Sequence, residues 1–210
     1  PDILKRGEEY YRIELNYCNG EKTVVSYGDD GVGRIKKQFL VDDKKTARLP
    51  KKNRYPIVLF LPGDLHLIES SPTRKRDYFD RILSELDDLY SSDLSRYEKA
   101  LKQRNDLLKK SVDFSTEDVS GLIFSWNVML AKYGVLLRKK RTAFIQELNK
   151  RLTEAYRSIA DNNDVVEIVY QMQGEEISES AYLSKLELSL ERDLIVGHTS
   201  FGVHRDYYDF

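Results

Sequence analysis

Apolar and polar residues alternate at Tyr11, Ile13, Leu15 and Tyr17, the period-two pattern of a half-buried strand. Asn19-Gly20 supplies a hairpin turn, and Thr23 to Tyr27 resumes the strand. A glycine cluster follows at Gly28, Gly31 and Gly33, and Arg34 to Val41 reads as another strand. The unbroken apolar run from Pro56 to Leu61 suits a strand covered on both faces. Beyond it the period changes. Phe79, Ile82, Leu83, Leu86, Leu89, Tyr90, Leu94, Tyr97, Leu101 and Leu108 recur mostly three or four apart. Ser71-Pro72 starts this segment as a capping serine with proline just inside, and no proline or glycine interrupts residues 73–120. One helix of up to roughly ten turns is expected. The polar stretch Ser111 to Glu117 reads as a bend, with Ser115 capping a second helix that runs from Leu122 through Trp126, Leu130, Leu137 and Leu148 to Tyr156. The pair predicts an antiparallel helical hairpin. Mixed structure returns after it: a strand over Val165 to Tyr170, a helix over Glu179 to Asp193, and a closing strand or hairpin from Thr199 to Phe210.

Composition adds limits. The 210 residues hold 34 Lys and Arg against 35 Asp and Glu, so any polyanion must be met by local patches. The single cysteine, Cys18, forms no internal disulfide and no multi-cysteine zinc site. Unbroken apolar runs fall far short of the roughly 20 residues that span a bilayer, and no signal segment opens the chain, so a cytoplasmic protein with no membrane partner is expected. The chain opens on Pro1 and closes in an alternation that still reads as a strand, which predicts a piece of a longer protein.

Several stretches carry candidate chemistry. Gly28 to Ile35 follows a strand, as a phosphate loop does, but Arg34 and Ile35 stand where G-x-x-x-x-G-K-[ST] needs lysine and a hydroxyl, and two aspartates lie in the loop. A glycine-rich hairpin turn fits better. Residues 44–54 hold six cations and no acid; Arg74-Lys75-Arg76 opens the first long helix, and Arg138-Lys139-Lys140-Arg141 sits in the second. Each run suits either phosphate contacts or a solvated face. Cations in a first helical turn oppose the helix dipole, so Arg74 to Arg76 call for a compensating acid or an anionic ligand. His66, His198 and His204 lack metal-ligand spacing, and the acid pairs Asp42-Asp43 and Asp87-Asp88 read as solvated surface.

Three stretches resemble the RecF family. Val58 to Pro72 with Arg76 and Phe79-Asp80 is similar to its strand followed by F-x-P-x-D-L-x-L-I-x-G-S-P and R-x-F-L-D. Tyr97 with Leu101 to Lys109 resembles Y-x-x-x-L-K-Q-R-N-x-L-L-K, and Gly197 to Asp206 resembles G-x-T-x-x-G-P-H-R-D-D. Trp126, Gly134 and Arg141 fall in register between them. Gly63, Val203 and Tyr207 depart from the usual acid, proline and second aspartate.

The resemblance implies an α+β fragment of an ABC-type α/β ATPase head, β-rich segments flanking a long antiparallel helical arm. Its parts would be 1–70 in the head, 71–163 as arm and 164–210 returning to the head. It implies a protein of DNA replication, repair, recombination and the SOS response that uses ATP and magnesium and dimerises with ATP. That protein would bind DNA at gaps and junctions and load recombinase with RecR- and RecO-type mediators. The family's Walker A would precede residue 1, and its signature and Walker B would follow Phe210, so this stretch would hydrolyse no ATP alone. Asp64, His204, Arg205 and Asp206 would lie near the nucleotide site or couple arm to head. Arg74, Lys75, Arg76, Lys51, Lys52 and Arg54 would meet DNA. A helical-hairpin interaction module with no nucleic-acid role is the alternative.

Overall fold

The computed structural model describes residues 4–29, 32–50, 53, 62–110, 116–174 and 178–210. The expected strand at 56–61 and Lys51, Lys52, Arg54 and Ser115 lie outside them. The chain forms two compact units, Pro1–Leu59 and Phe60–Phe210.

In the first unit, β1 (Tyr11–Asn16), β2 (Lys22–Asp29), β3 (Ile35–Val41) and β4 (Lys44–Thr46) form an antiparallel sheet in sequence order. Asn19-Gly20 turns β1 into β2 as expected: Gly20 takes a φ of 85°, and Asn19 Oδ1 accepts from Glu21 N at 3.1 Å. Cross-strand Tyr11 and Tyr27 stack with ring centroids 5.6 Å apart. Between β2 and β3, Gly33 N donates to Asp29 Oδ1 at 2.9 Å, while Gly31 lies outside the described residues. Among the described residues the chain continues as strand β3, so no helix N-terminus faces an anion there and the segment does not fit a nucleotide phosphate.

The second unit is built on helices. One 3₁₀ turn, Pro62–His66, precedes α1 (Pro72–Leu86), whose cap Ser71 accepts from Arg74 N. The single ten-turn helix expected over 73–120 is in fact two. Asp87 takes an extended φ of −138°, and its carboxylate accepts from Leu89 N and Tyr90 N, ending α1 and capping α2 (Asp88–Lys110). Asp87 also pairs with Lys140 at 2.8 Å, so this acid is more than solvated surface. The 45-residue α3 (Thr116–Ala160) packs against α2. Part of α3 is long and apolar enough to suit a bilayer, with a mean hydropathy of 1.3 over 18 residues. Interruption by single polar residues hides this from a search for unbroken runs. Here that helix is the spine of the core, burying Val119, Ile123, Leu130, Ala131, Val135 and Leu137.

The remaining segment folds back onto this spine. The strand expected over 165–170 shrinks to β5 (Val169–Gln171), paired antiparallel with β6 (Tyr207–Asp209). Ahead of it the backbone is held by α3 side chains instead of a sheet. Asn149 bonds both Ile168 O and Ile168 N, at 2.8 and 2.9 Å, and Thr153 donates to Val166 O at 2.7 Å. The expected helix over 179–193 is broken at Ser189 into α4 (Glu179–Leu188) and α5 (Leu190–Val196), the latter closed by Gly197 in the left-handed region at φ 71°.

Candidate functional site

Residues 197–206 form the turn that carries the chain from α5 to β6, and three buried arginines of the arm hold it. Arg104 of α2 and Arg138 and Arg141 of α3 are all at most 2% exposed. Arg104 Nη1 donates to Asp193 Oδ2 and Thr199 Oγ1, both at 2.7 Å, while its Nε donates to Asn127 Oδ1 at 2.7 Å. Asn105 Oδ1 accepts from Thr199 N and Thr199 Oγ1, and Asp193 Oδ1 accepts from Ser200 N. One carboxylate, on α5, and one amide, on α2, therefore hold Thr199 and Ser200 at the start of the turn.

Asp206 is the second anchor. Arg138 grips it in two places, Nε to Oδ2 at 2.8 Å and Nη2 to Oδ1 at 2.7 Å. Tyr170 OH and Gln173 N complete its shell at 2.6 and 2.8 Å, and Arg76 Nη1 donates to its backbone oxygen at 2.8 Å. Burial opposes the charge on Arg138, but Asp206 more than compensates, and the guanidinium stays charged above its ordinary range. Arg138 also lies over the rings of Tyr182 and Phe201. In the third anchor, Arg141 forks onto Asp80 of α1 at 3.0 and 2.7 Å and donates to Val203 O at 2.9 Å. Tyr90 OH donates to the same Asp80.

His204 sits inside a one-way hydrogen-bond chain. Its Nε2 faces Thr199 O at 3.1 Å and must donate, so its Nδ1 accepts from Tyr97 OH at 2.8 Å. Val203 N donates to Tyr182 OH, which in turn donates to Tyr97 oxygen at 3.2 Å. Burial lowers the His204 pKa to about 4, so the ring is neutral at physiological pH, and burial pushes Tyr182 up to about 12. Gly202, at φ 139°, leaves room for this chain: a Cβ there would stand 2.6 Å from both tyrosine oxygens. Gly134 does the same on α3, where a Cβ would fall 2.7 Å from Tyr182 Cζ.

The residues singled out in the sequence scatter around this knot. His204 and Asp206 are central to it, Arg76 joins it, and Arg205 is exposed, reaching Thr199 O at 3.5 Å. Asp64 is half-buried on the 3₁₀ turn ahead of α1. Arg74 is exposed and donates to Gly63 O at 2.6 Å; Lys75 lies 5.0 Å from the ring centre of Phe210. Carbonyl oxygens and a ring thus supply the compensation expected of an acid or an anion. The run Arg138 to Arg141 is neither a phosphate patch nor a solvated face: both arginines are internal and Lys140 is paired. Sequence reasoning missed Arg104 and Asn127 as anchors. The signal was present, since Tyr90, Tyr97 and Arg104, and Asn127, Gly134 and Arg141, each recur every seven residues along buried seams. A cation on an apolar seam implies a buried partner.

No protein-family model matches the chain. It is 34% identical over 154 residues to the DNA replication and repair protein RecF of Lachnoclostridium phytofermentans, covering 73% of this chain and 41% of that protein. The RecF of Leptospira interrogans (serovar copenhageni) is 29% identical over 207 residues, 98% of this chain and 55% of the relative. The solved structure of the recombination mediator protein RecF-ATP in the RecFOR pathway superposes with a TM-score of 0.75 at 27% identity, covering 99% of this chain and 57% of that one. The chain belongs to the RecF family. It spans about half the length of the curated RecF relatives it matches, and its fold is that of the corresponding part of an ABC-type RecF ATPase. The three-anchor knot joins α1, α2 and α3 to the segment of the chain that follows α3.

Proposed function

We propose that this chain is the arm-bearing part of a DNA-binding, ATP-dependent recombination mediator that acts at gaps in DNA repair. The observation that carries the reading is the match along nearly the whole chain to RecF structures, one of them of RecF-ATP. On this reading residues 1–70 and 164–210 belong with an ATPase head and 71–163 form the arm. ATP and magnesium bind motifs outside these residues, in a homodimer that works with RecR- and RecO-type partners. Among the described residues the glycine-rich turn does not fit the nucleotide, so no chemical step is assigned to it.

The knot then has a mechanical task. Asp206, with His204 and Arg205 beside it, ties the returning strand to Arg76 at the start of the arm and to Arg138 midway along it. A shift of the head is passed to the arm through paired groups that are costly to separate. Asp64, ahead of α1, lies on the same route. Arg74 and Lys75, with Lys51, Lys52 and Arg54, meet the DNA backbone, and Arg76 is shared with the knot. Binding of the full-length protein to labelled gapped DNA, titrated across salt with and without ATP, tests this reading. Tighter binding with ATP that weakens with salt is expected. Salt-insensitive or ATP-indifferent binding would leave the helical-hairpin interaction module as the better account.

A further inference from the structure

Arg205 is left over by the knot. Its backbone is fixed, with N donating to Gly202 O at 2.8 Å, yet its side chain is exposed and reaches only Thr199 O, at 3.5 Å. Arg76 meets the same stretch of chain. Its Nη1 donates to the backbone oxygen of Asp206, the next residue, at 2.8 Å, and its Nη2 to Thr73 Oγ1 at 2.9 Å. We infer that Arg76 and Arg205 together clamp one phosphate of the DNA backbone, an inference that rests on the DNA-binding reading above and brings the DNA onto the knot itself.

A missing counter-charge carries the inference. Every acceptor of the two guanidiniums is neutral, either a backbone oxygen or a hydroxyl. The carboxylates around them are occupied by other groups. Asp80 takes Arg141 and Tyr90, and Asp206 takes Arg138, Tyr170 and Gln173 N. Asp77, next to Arg76 on α1, is exposed, and among the described residues neither arginine forms an ion pair. Burial first, then Arg141 and, more weakly, Arg205 hold Arg76 below its ordinary pKa, against the opposing effect of Asp77 and Asp80. Arg138 and Arg141 behave in the opposite way, because Asp206 and Asp80 outweigh their burial. Both guanidiniums act on His204 as well, adding to the burial that keeps it neutral.

The residue type suits the ligand. A guanidinium is a planar fork that meets two phosphate oxygens at once, and its charge survives partial burial. Arg76 is already oriented by its two bonds, and the exposed Arg205 stands beside it. With the nucleotide assigned above to motifs outside these residues, the DNA backbone is left as the source of the phosphate.

The test is fluorescence anisotropy of the full-length protein with labelled gapped DNA and ATP across a salt series. Arg205→Gln should flatten the slope of log K against log salt by about 0.9, the value for one phosphate no longer neutralised. Arg205→Lys should keep the slope, because the charge stays, and weaken binding several-fold, because the fork is lost. Arg192→Gln on α5 removes the same charge from another exposed arginine and should leave the slope unchanged. An unchanged slope in Arg205→Gln, or an equal drop in Arg192→Gln, overturns the clamp. If Arg74→Gln with Lys75→Gln flattens the slope and Arg205→Gln does not, the clamp fails and the DNA-binding reading stands. If Arg205→Gln weakens ATP binding measured without DNA and leaves the slope unchanged, the phosphate is the nucleotide's and the DNA clamp is overturned. No salt-dependent binding by the unaltered protein sinks both readings. Urea unfolding of the 210-residue chain, followed at Trp126, should not move in Arg205→Gln, since only a 3.5 Å contact is lost. A slope lost only together with that midpoint would make Arg205 a structural residue and overturn the clamp.

Discussion

Arg141 and Lys37 both sit in short basic runs, yet one is 2% exposed beneath the returning chain and the other stands open on a sheet. The difference lies in what each faces. Arg141 meets Asp80 and a carbonyl supplied from elsewhere in the fold, whereas Lys37 meets Tyr27 across its ladder and Phe39 beside it. Arg141 acts as an internal fastener, while Lys37 is displayed. A run of basic residues is therefore assigned by its long-range partners and not by its local density.

Breaking a fastener should have the largest effect. Asp206→Ala leaves Arg138 buried without its carboxylate and is expected to cost about 3–5 kcal/mol. Urea unfolding followed by Trp126, the only tryptophan, reads the arm unit alone. The double variant Arg138→Met, Asp206→Leu should lose less than either single change, because it removes both charges together.

Gly202→Ala comes next. It forces a side chain to within 2.6 Å of two buried tyrosine oxygens at a φ that favours glycine, an expected loss of about 3 kcal/mol. Tyr182→Phe in the same chain should restore part of that loss by removing one of the two oxygens.

Acid should loosen the same turn through His204. Its folded pKa of about 4 lies below the ordinary 6.5, so between those values the unfolded chain binds the proton and the native one does not. The stability contributed is present above pH 6.5 and is lost as pH falls toward 4, about 3 kcal/mol in all. Unfolding at pH 7.5 and pH 5 should differ clearly, and His204→Gln should flatten the difference. A variant as acid-sensitive as the parent would refute this source.

The smallest effect belongs to the sheet. Gly28, at φ 151°, would bring a Cβ to 2.8 Å from Tyr10 Cδ2, but that ring is exposed and can move aside. Gly28→Ala should cost about 1 kcal/mol in far-UV dichroism and leave the Trp126 transition where it was. A shifted Trp126 transition would mean the two units unfold together.

Much of this fold was legible in the sequence. The Asn19-Gly20 hairpin, the Ser71-Pro72 start and the paired amphipathic helices all rest on local signals, which survive without knowledge of tertiary partners. Breaks at Asp87 and Ser189 were hidden because Asp and Ser are tolerated inside helices, and only capping bonds made after folding reveal their role. The shortened strand before β5 escaped for a related reason: Asn149 and Thr153 substitute for a neighbouring strand from 13 to 19 residues away. Within the candidate site, His204 and Asp206 were marked by motif. Arg104 and Asn127 were visible only as polar residues in a seven-residue rhythm, which matters once both helices are aligned.

At 1.5 Å per residue, the 45 residues of α3 make a rod of about 67 Å. Arg141 grips it some 25 residues from its start at Thr116, about 37 Å away. A pivot of about 5° at that grip carries the far end sideways by about 3 Å, the width of one hydrogen bond. The knot thus lies near mid-shaft of α3, where a rotation of that size at the grip would displace the helix start by about one hydrogen-bond length.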